Sequence, residues 1–206
     1  MMIKNIIFDL GNVLLKFHPK EFLLRFTDDN EYIDQFAAKI FRSKLWMELD
    51  RGTISLESAK NDFISKYPKE EAFLTLFFDQ WMEMLTPIEK NVKILKDLRN
   101  LGYQTYILSN FIKETYTFIE KKYSIFPLFD GQIISGFEKT IKPEKAIYEL
   151  LLSRYNLLPE ESLLIDDVLF FLKPAKKLGM KTIWNRPETD LREELKKYDV
   201  LPQTIK

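Results

Sequence analysis

Hydrophobic and polar positions change their texture twice along the chain. Residues 3–8 form a short, mostly apolar run that ends in Asp9-Leu10-Gly11-Asn12. A run of this length, β-branched and aromatic and closed by turn formers, predicts a buried strand. From about residue 19 to 86 the apolar residues recur at helical spacing instead, as in Ile33, Phe36, Ala37, Ile40 and again in Phe73, Leu74, Phe77, Phe78, Trp81. Breaks are expected at Asp28-Asp29-Asn30, Gly52-Thr53 and Tyr67-Pro68, with Ser55 capping the helix that follows it. The stretch contains no predicted strand. At Thr86-Pro87 the texture changes again. Thr86 reads as an N-cap with Pro87 at the first helical position, and the helix runs to Asn100 with Gly102 ending it. Strands then alternate with helices: strands over 104–108, 132–134, 162–165 and 181–184, helices over 114–122, 144–155 and 169–178.

Such alternation predicts an α/β fold with a parallel sheet and right-handed crossovers. The expected organisation is one α/β core, residues 1–15 and 87–206, with an all-helical subdomain inserted at 16–86. At 206 residues the chain buries roughly 70% of its unfolded surface on folding, enough for one core and a small appendage. Lys and Arg total 31 and Asp and Glu total 31, so charge does not drive it to nucleic acid. There is no Cys, which excludes disulfides, zinc–thiolate sites and a Cys nucleophile. No stretch approaches the roughly 18–20 apolar residues that span a bilayer, and the N-terminus reads as a strand, not a signal peptide. A cytoplasmic protein, a monomer or weak dimer with no membrane partner, is the expectation.

Ligands of open parallel sheets bind beyond the carboxyl ends of the strands. The polar residues placed there are Asp9, Gly11 and Asn12 after the first strand, and Ser109 and Asn110 after the second. Lys142 follows the third, and Asp166 and Asp167 the fourth. A carboxylate is a competent nucleophile toward phosphorus, but it repels a phosphate dianion. A hard cation such as Mg²⁺ bridges the two, held by carboxylates and substrate oxygens. Asp9, Asp166 and Asp167 suit that cation. Lys142 and Ser109 offer donors to phosphoryl oxygens. The backbone N–H groups of residues 10–12 suit an anion nest, with Gly11 allowing close approach.

Phe8-Asp9-Leu10-Gly11-Asn12-Val13, Leu108-Ser109-Asn110, Lys142-Pro143 and Ile165-Asp166-Asp167 together resemble the four ordered motifs of the haloacid dehalogenase superfamily. The stretch from Trp46 to Ser55 is similar to sequence in the helical cap of this group. The nearest branch in appearance is that of small glucose-1-phosphate phosphatases. The resemblance implies a Rossmann-like core with a helical cap. It also implies Asp9 as nucleophile and Mg²⁺ ligand, and the Gly11 carbonyl, Asp166 and Asp167 as further ligands. Ser109 and Lys142 would hold the phosphoryl group, with Asn12 and Asn110 beside them. The expected reaction is Mg²⁺-dependent hydrolysis of a small phosphate monoester, such as a sugar phosphate.

Two positions depart from the family pattern. Gly11 stands where most of the phosphatases carry an Asp that acts as general acid and base. Phe171, four residues beyond Asp167, stands where an Asn is usual. Two rival readings follow. One is a metal-independent 2-haloacid dehalogenase, which also lacks the second Asp, but the Asp166-Asp167 pair opposes a carboxylate substrate. The other is a non-catalytic binding module on the same fold. His18, the only histidine, is either the missing acid or a plain linker residue, and the linker reading is preferred. Trp46, Phe77, Phe78 and Trp81 either line a substrate pocket or belong to the core, and their helical spacing favours the core. Glu48, Asp50 and Arg51 either face the substrate from the cap or form a solvated helix end, and the solvated end is preferred. The cap is expected to close over the site, hinging near residues 17–19 and 85–87.

Overall fold

The four residues of β1 (Asn5–Phe8) are all buried, as a mostly apolar strand with a layer on each face must be. In the computed structural model, which describes residues 2–202, β1 is the middle strand of a five-stranded sheet. Met1 and residues 203–206, at the ends of the expected core segments, lie outside the described residues. The other strands are β2 (Gln104–Ser109), β3 (Gly131–Ile134), β4 (Ser162–Asp166) and β5 (Lys181–Trp184). Their order is β3-β2-β1-β4-β5 and every pairing is parallel. Ile7 stands opposite Tyr106 on one side and Leu164 on the other. The Asp9 N–H donates to the Ile165 carbonyl at 2.9 Å, carrying the ladder one residue past β1. The chain leaves β1 toward β2 and β3, then returns to its other side for β4. That reversal opens a crevice at the carboxyl end of β1.

Between β1 and β2 the chain is helical: α1 (Pro19–Leu23), α2 (Asn30–Phe41), α3 (Lys44–Arg51), α4 (Leu56–Lys66) and α5 (Glu71–Gln80). Asp29, Ser43 and Ser55 cap α2, α3 and α4 through their side chains, Ser55 as expected. Gly52 ends α3 in the left-handed conformation. Aromatic side chains fill this layer edge to face. Phe36 lies 4.8 Å from Phe73 and 5.6 Å from Phe77, and Phe41 lies 4.6 Å from Trp46. Phe77, Phe78, Trp46 and Trp81 are all buried, the two Phe within the core and the two Trp also on the wall of a cavity. Then come α6 (Glu89–Asn100), α7 (Lys113–Lys122), the short α8 (Ser135–Glu138), α9 (Lys145–Arg154), α10 (Leu169–Lys177) and α11 (Leu191–Lys196).

Three local expectations need correction. The first strand begins at Asn5, not residue 3. The Thr86-Pro87 helix start is displaced, because that backbone is already paired. Thr86 accepts from the Lys16 N–H at 2.8 Å, the Ile88 N–H donates to Leu14 at 2.8 Å, and α6 begins only at Glu89. The two crossings between the strand layer and the helical stretch thus form one short ladder. Finally, α11 was not expected. Its signal is Asp190, whose carboxylate accepts from the Arg192 and Glu193 N–H groups as an N-cap. No helix among the described residues is long and apolar enough to cross a membrane.

Candidate active site

The chain folds back on itself directly after β1. The Leu10 carbonyl accepts from the Leu14 and Leu15 N–H groups at 2.9 and 2.8 Å. Asn12 adopts positive φ (51°) in this turn, a conformation that Asn tolerates better than most residues. A Cβ at Gly11 would meet no atom within 4 Å. The close approach expected of Gly11 is therefore not imposed by neighbouring protein: the position faces open space.

Asp9, Ser109, Lys142 and Asp166 converge at the carboxyl ends of their strands although 157 positions separate the first from the last. The Ser109 hydroxyl donates to Asp9 Oδ1 at 2.6 Å. Lys142 Nζ lies 3.1 Å from that same oxygen and 2.6 Å from Asp166 Oδ2. The Lys142 side chain has no exposed surface. Burial opposes its charge, but Asp166 and Asp9 outweigh that, and its pKa is held above the ordinary lysine value. Asn110 clasps the Lys142 backbone, accepting from its N–H at 2.7 Å and donating to its carbonyl at 3.0 Å. Asn12 Nδ2 donates to Asp167 Oδ2 at 3.0 Å.

Carboxylate oxygens of Asp9, Asp166 and Asp167 lie within 4.8 Å of one another. Burial, and then the charge of Asp9, push Asp167 up to about 7. Burial likewise raises Asp166, against the pull of Lys142. One buried ammonium does not balance three carboxylates. The donor set, all hard carboxylate oxygens, fits a divalent cation such as Mg²⁺.

A cavity of about 210 Å³ opens over these groups. The strand layer contributes Asp9, Gly11, Asn12, Asn110, Lys142 and Asp167, with Phe111, Ile112, Val168 and Phe171. The helical stretch contributes Phe17, Trp46, Asp50, Trp81 and Leu85. Most of the wall is apolar. The buried indole N–H of Trp81 has no partner among the described residues.

The structure adds to or corrects the sequence reading at four residues. Asp50 is not at a solvated helix end. It lines the cavity, its carboxyl hydrogen-bonded by the Trp46 side chain, and burial with the charge of Asp9 pushes its pKa up to about 7. Arg51 turns the other way, to a bidentate pair with Glu144 at 2.6 and 2.9 Å. Phe171, in place of a polar residue, sets its ring 5.2 Å from Lys142 Nζ. Asn185 donates to the Asn12 carbonyl at 2.9 Å and is buried. It follows β5 immediately, so the strand-end rule that found the other groups also points to it. His18 lines neighbouring cavities that do not include Asp9.

A family model for haloacid dehalogenase-like hydrolases matches residues 3–179. The chain belongs to that family. Over 177 residues it is 24% identical to the sesquiterpene phosphatase astK of Aspergillus oryzae, covering 86% of this chain and 87% of that protein. It is 22% identical over 211 residues to a D-ribitol-5-phosphate phosphatase of Bacteroides thetaiotaomicron, covering 94% and 97%. Longer proteins carry a related region too: the chain spans 36% of drimenol cyclase drtB of Aspergillus calidoustus. The haloacid dehalogenase-like fold is shared with the crystal structure of the HAD family enzyme bt-2542 of B. thetaiotaomicron in complex with magnesium and inorganic phosphate. The TM-score is 0.72 at 22% identity, over 93% of this chain and 98% of that one.

Proposed function

We propose that this hydrolase is a Mg²⁺-dependent phosphomonoesterase that works through an aspartyl-phosphate on Asp9. One observation carries the reading: three carboxylates within 4.8 Å of one another, two of them paired with a fully buried lysine. Asp9, Asp166, Asp167 and the Gly11 carbonyl are the residues that would hold Mg²⁺. When bound, the ion offsets the charge between carboxylate and phosphate dianion.

The chain's own residues do the rest. Ser109 and Lys142 pin Asp9 Oδ1, which fixes the plane of the carboxylate and turns its other oxygen to phosphorus. The same two donors reach phosphoryl oxygens as they move off Asp9. Attack by Asp9 breaks the ester P–O bond, and water then hydrolyses the aspartyl-phosphate to inorganic phosphate. The helices over 16–86 act as a cap over the core, keeping bulk water out of the cavity. A small phosphorylated metabolite, in a cytoplasmic setting, is the partner. The wall of Phe17, Trp46, Trp81 and Leu85 supports an alcohol with an apolar body over a heavily hydroxylated one. Hexose phosphates are the comparison.

The test is phosphate release from p-nitrophenyl phosphate and a panel of alkyl, isoprenoid and sugar phosphates, with Mg²⁺ and with chelator. Turnover that needs Mg²⁺ and disappears in Asp9→Asn is expected. No release from any ester overturns the reading. Halide release from 2-chloropropionate in chelator would replace it with the dehalogenase chemistry. An Asp9→Asn protein indistinguishable from wild type would point to a binding module.

A further inference from the structure

The proposed hydrolysis leaves one proton without a source. An alkoxide is a poor leaving group, and position 11 has no side chain to protonate it. Asp166 and Asp167 belong to the cation cluster, Lys142 is paired with two carboxylates, and His18 lines other cavities. The helical stretch contributes one ionisable group to the wall of the Asp9 cavity, and it is Asp50.

The position of Asp50 is built. It lies in the last turn of α3, and that end of the helix is fastened to the strand layer at several points. Ser135 Oγ donates to the Asp50 carbonyl at 2.6 Å. Arg51 makes its bidentate pair with Glu144, and Lys139 Nζ donates to the Gly52 carbonyl. Gly52, at φ +75°, lies so close to Gly136 that a Cβ on it would stand 2.1 Å from the Gly136 carbonyl oxygen. Only glycine allows this approach. The backbone on both sides of Asp50 is thus held while its side chain faces the cavity, oriented by Trp46. Among the described residues its charged neighbours across the cavity are Asp9 and Lys142.

We propose that Asp50 is the proton donor to the leaving alcohol and the base for the hydrolytic water, in place of the Asp absent at position 11. This rests on the phosphomonoesterase reading. In the first step an Asp9 oxygen bonds to phosphorus and the P–O ester bond breaks. Its electron pair stays on the ester oxygen, which takes the Asp50 proton and leaves as the alcohol. In the second step Asp50, now a carboxylate, takes a proton from water as that water attacks phosphorus. The P–O bond to Asp9 breaks, which restores the Asp9 carboxylate and the protonated Asp50. Burial of Asp50 in the cavity wall favours the protonated starting form.

The experiment compares Asp50→Asn with wild type on two esters, n-butyl phosphate and p-nitrophenyl phosphate, in Mg²⁺. The butyl ester needs a proton on its leaving oxygen and the aryl ester does not. The variant is expected to lose about 10²–10⁴-fold on the butyl ester. With the aryl ester it should release a rapid burst of about one p-nitrophenolate per chain before slow turnover, because the first step survives and the base of the second is gone. Asp50→Glu should recover part of the butyl activity. So should Gly11→Asp added to Asp50→Asn, since a side chain at 11 meets open space. Equal losses on both esters with no burst, or no loss on either, would overturn the assignment, and Asp50→Glu decides if Asp50→Asn does not fold. Absence of turnover in wild type removes the phosphomonoesterase reading, and this assignment with it.

Discussion

Lys142 has no exposed side-chain surface and stands between Asp9 and Asp166. Each carboxylate is costly to bury alone, and the ammonium offsets both. Removing it as Lys142→Met leaves two buried like charges facing each other. A loss of about 3–5 kcal/mol of stability is expected in chelator, read as a lowered thermal midpoint. Adding Mg²⁺ should restore part of that midpoint, while activity stays down by about 10²–10³-fold for want of the donor. An unchanged midpoint in chelator would mean that Lys142 does not neutralise the cluster. Much of this constellation was legible in the sequence, because the polar groups that meet here follow strands, and strands announce themselves. Asn185 obeys the same rule after β5 and is found by extending it one strand further. The sequence names Asp50 only as one of three charged residues and does not single it out. Its neighbours in sequence, Glu48 and Arg51, face away from the cavity, and only the packing of α3 on α8 decides which of three adjacent charges turns inward.

At the scale of elements, α3 meets the strand layer through the Arg51–Glu144 pair. Glu144, which Arg51, Thr140 and the Ile141 N–H all approach, has its pKa lowered to about 2, with the Arg51 hydrogen bonds the chief cause. The folded value lies below the ordinary 4.5, so this contribution is complete above about pH 4.5 and is lost as pH falls toward 2. The pair is partly exposed, so its worth is about 1 kcal/mol or less. Thermal melts of wild type and Glu144→Gln should differ at pH 6 and converge near pH 2. A gap that persists at pH 2 would show that the effect is not the pair's charge. The elements themselves were read well where periodicity is strong, as in the buried strands and the helices capped by Asp29 and Ser55. The reading failed at 86–88, where Thr86-Pro87 carries a sound local helix signal. Backbone pairing with Leu14 and Lys16, from 70 residues away, overrides it. A local signal holds no information about such a partner.

Across the whole molecule, the helical stretch is joined to the strand layer in two unlike ways. At one end, residues 14–16 and 86–88 form a hydrogen-bonded ladder. At the other, the end of α3 lies against α8 and α9 through polar contacts and the glycine approach. The cavity lies between them, walled from both sides. Opening the cavity further is expected to part the polar contacts before the ladder, whose second segment leads directly into α6. The bend then falls just beyond the ladder, at residues 17–19 and 84–85, where backbone pairing between the segments stops. Hydrogen exchange with Mg²⁺ and beryllofluoride, a mimic of the phosphoryl group, checks this directly. Protection should rise at residues 50–53 and 136–142 as the closed form is favoured, and change at 17–18 and 84–85. The Lys16 and Ile88 amides should stay slow with and without the mimic. Exchange that stays constant in all of these segments would mean a cavity that fills without moving, and entry would then have to run past Val168 and Phe171 on the strand side.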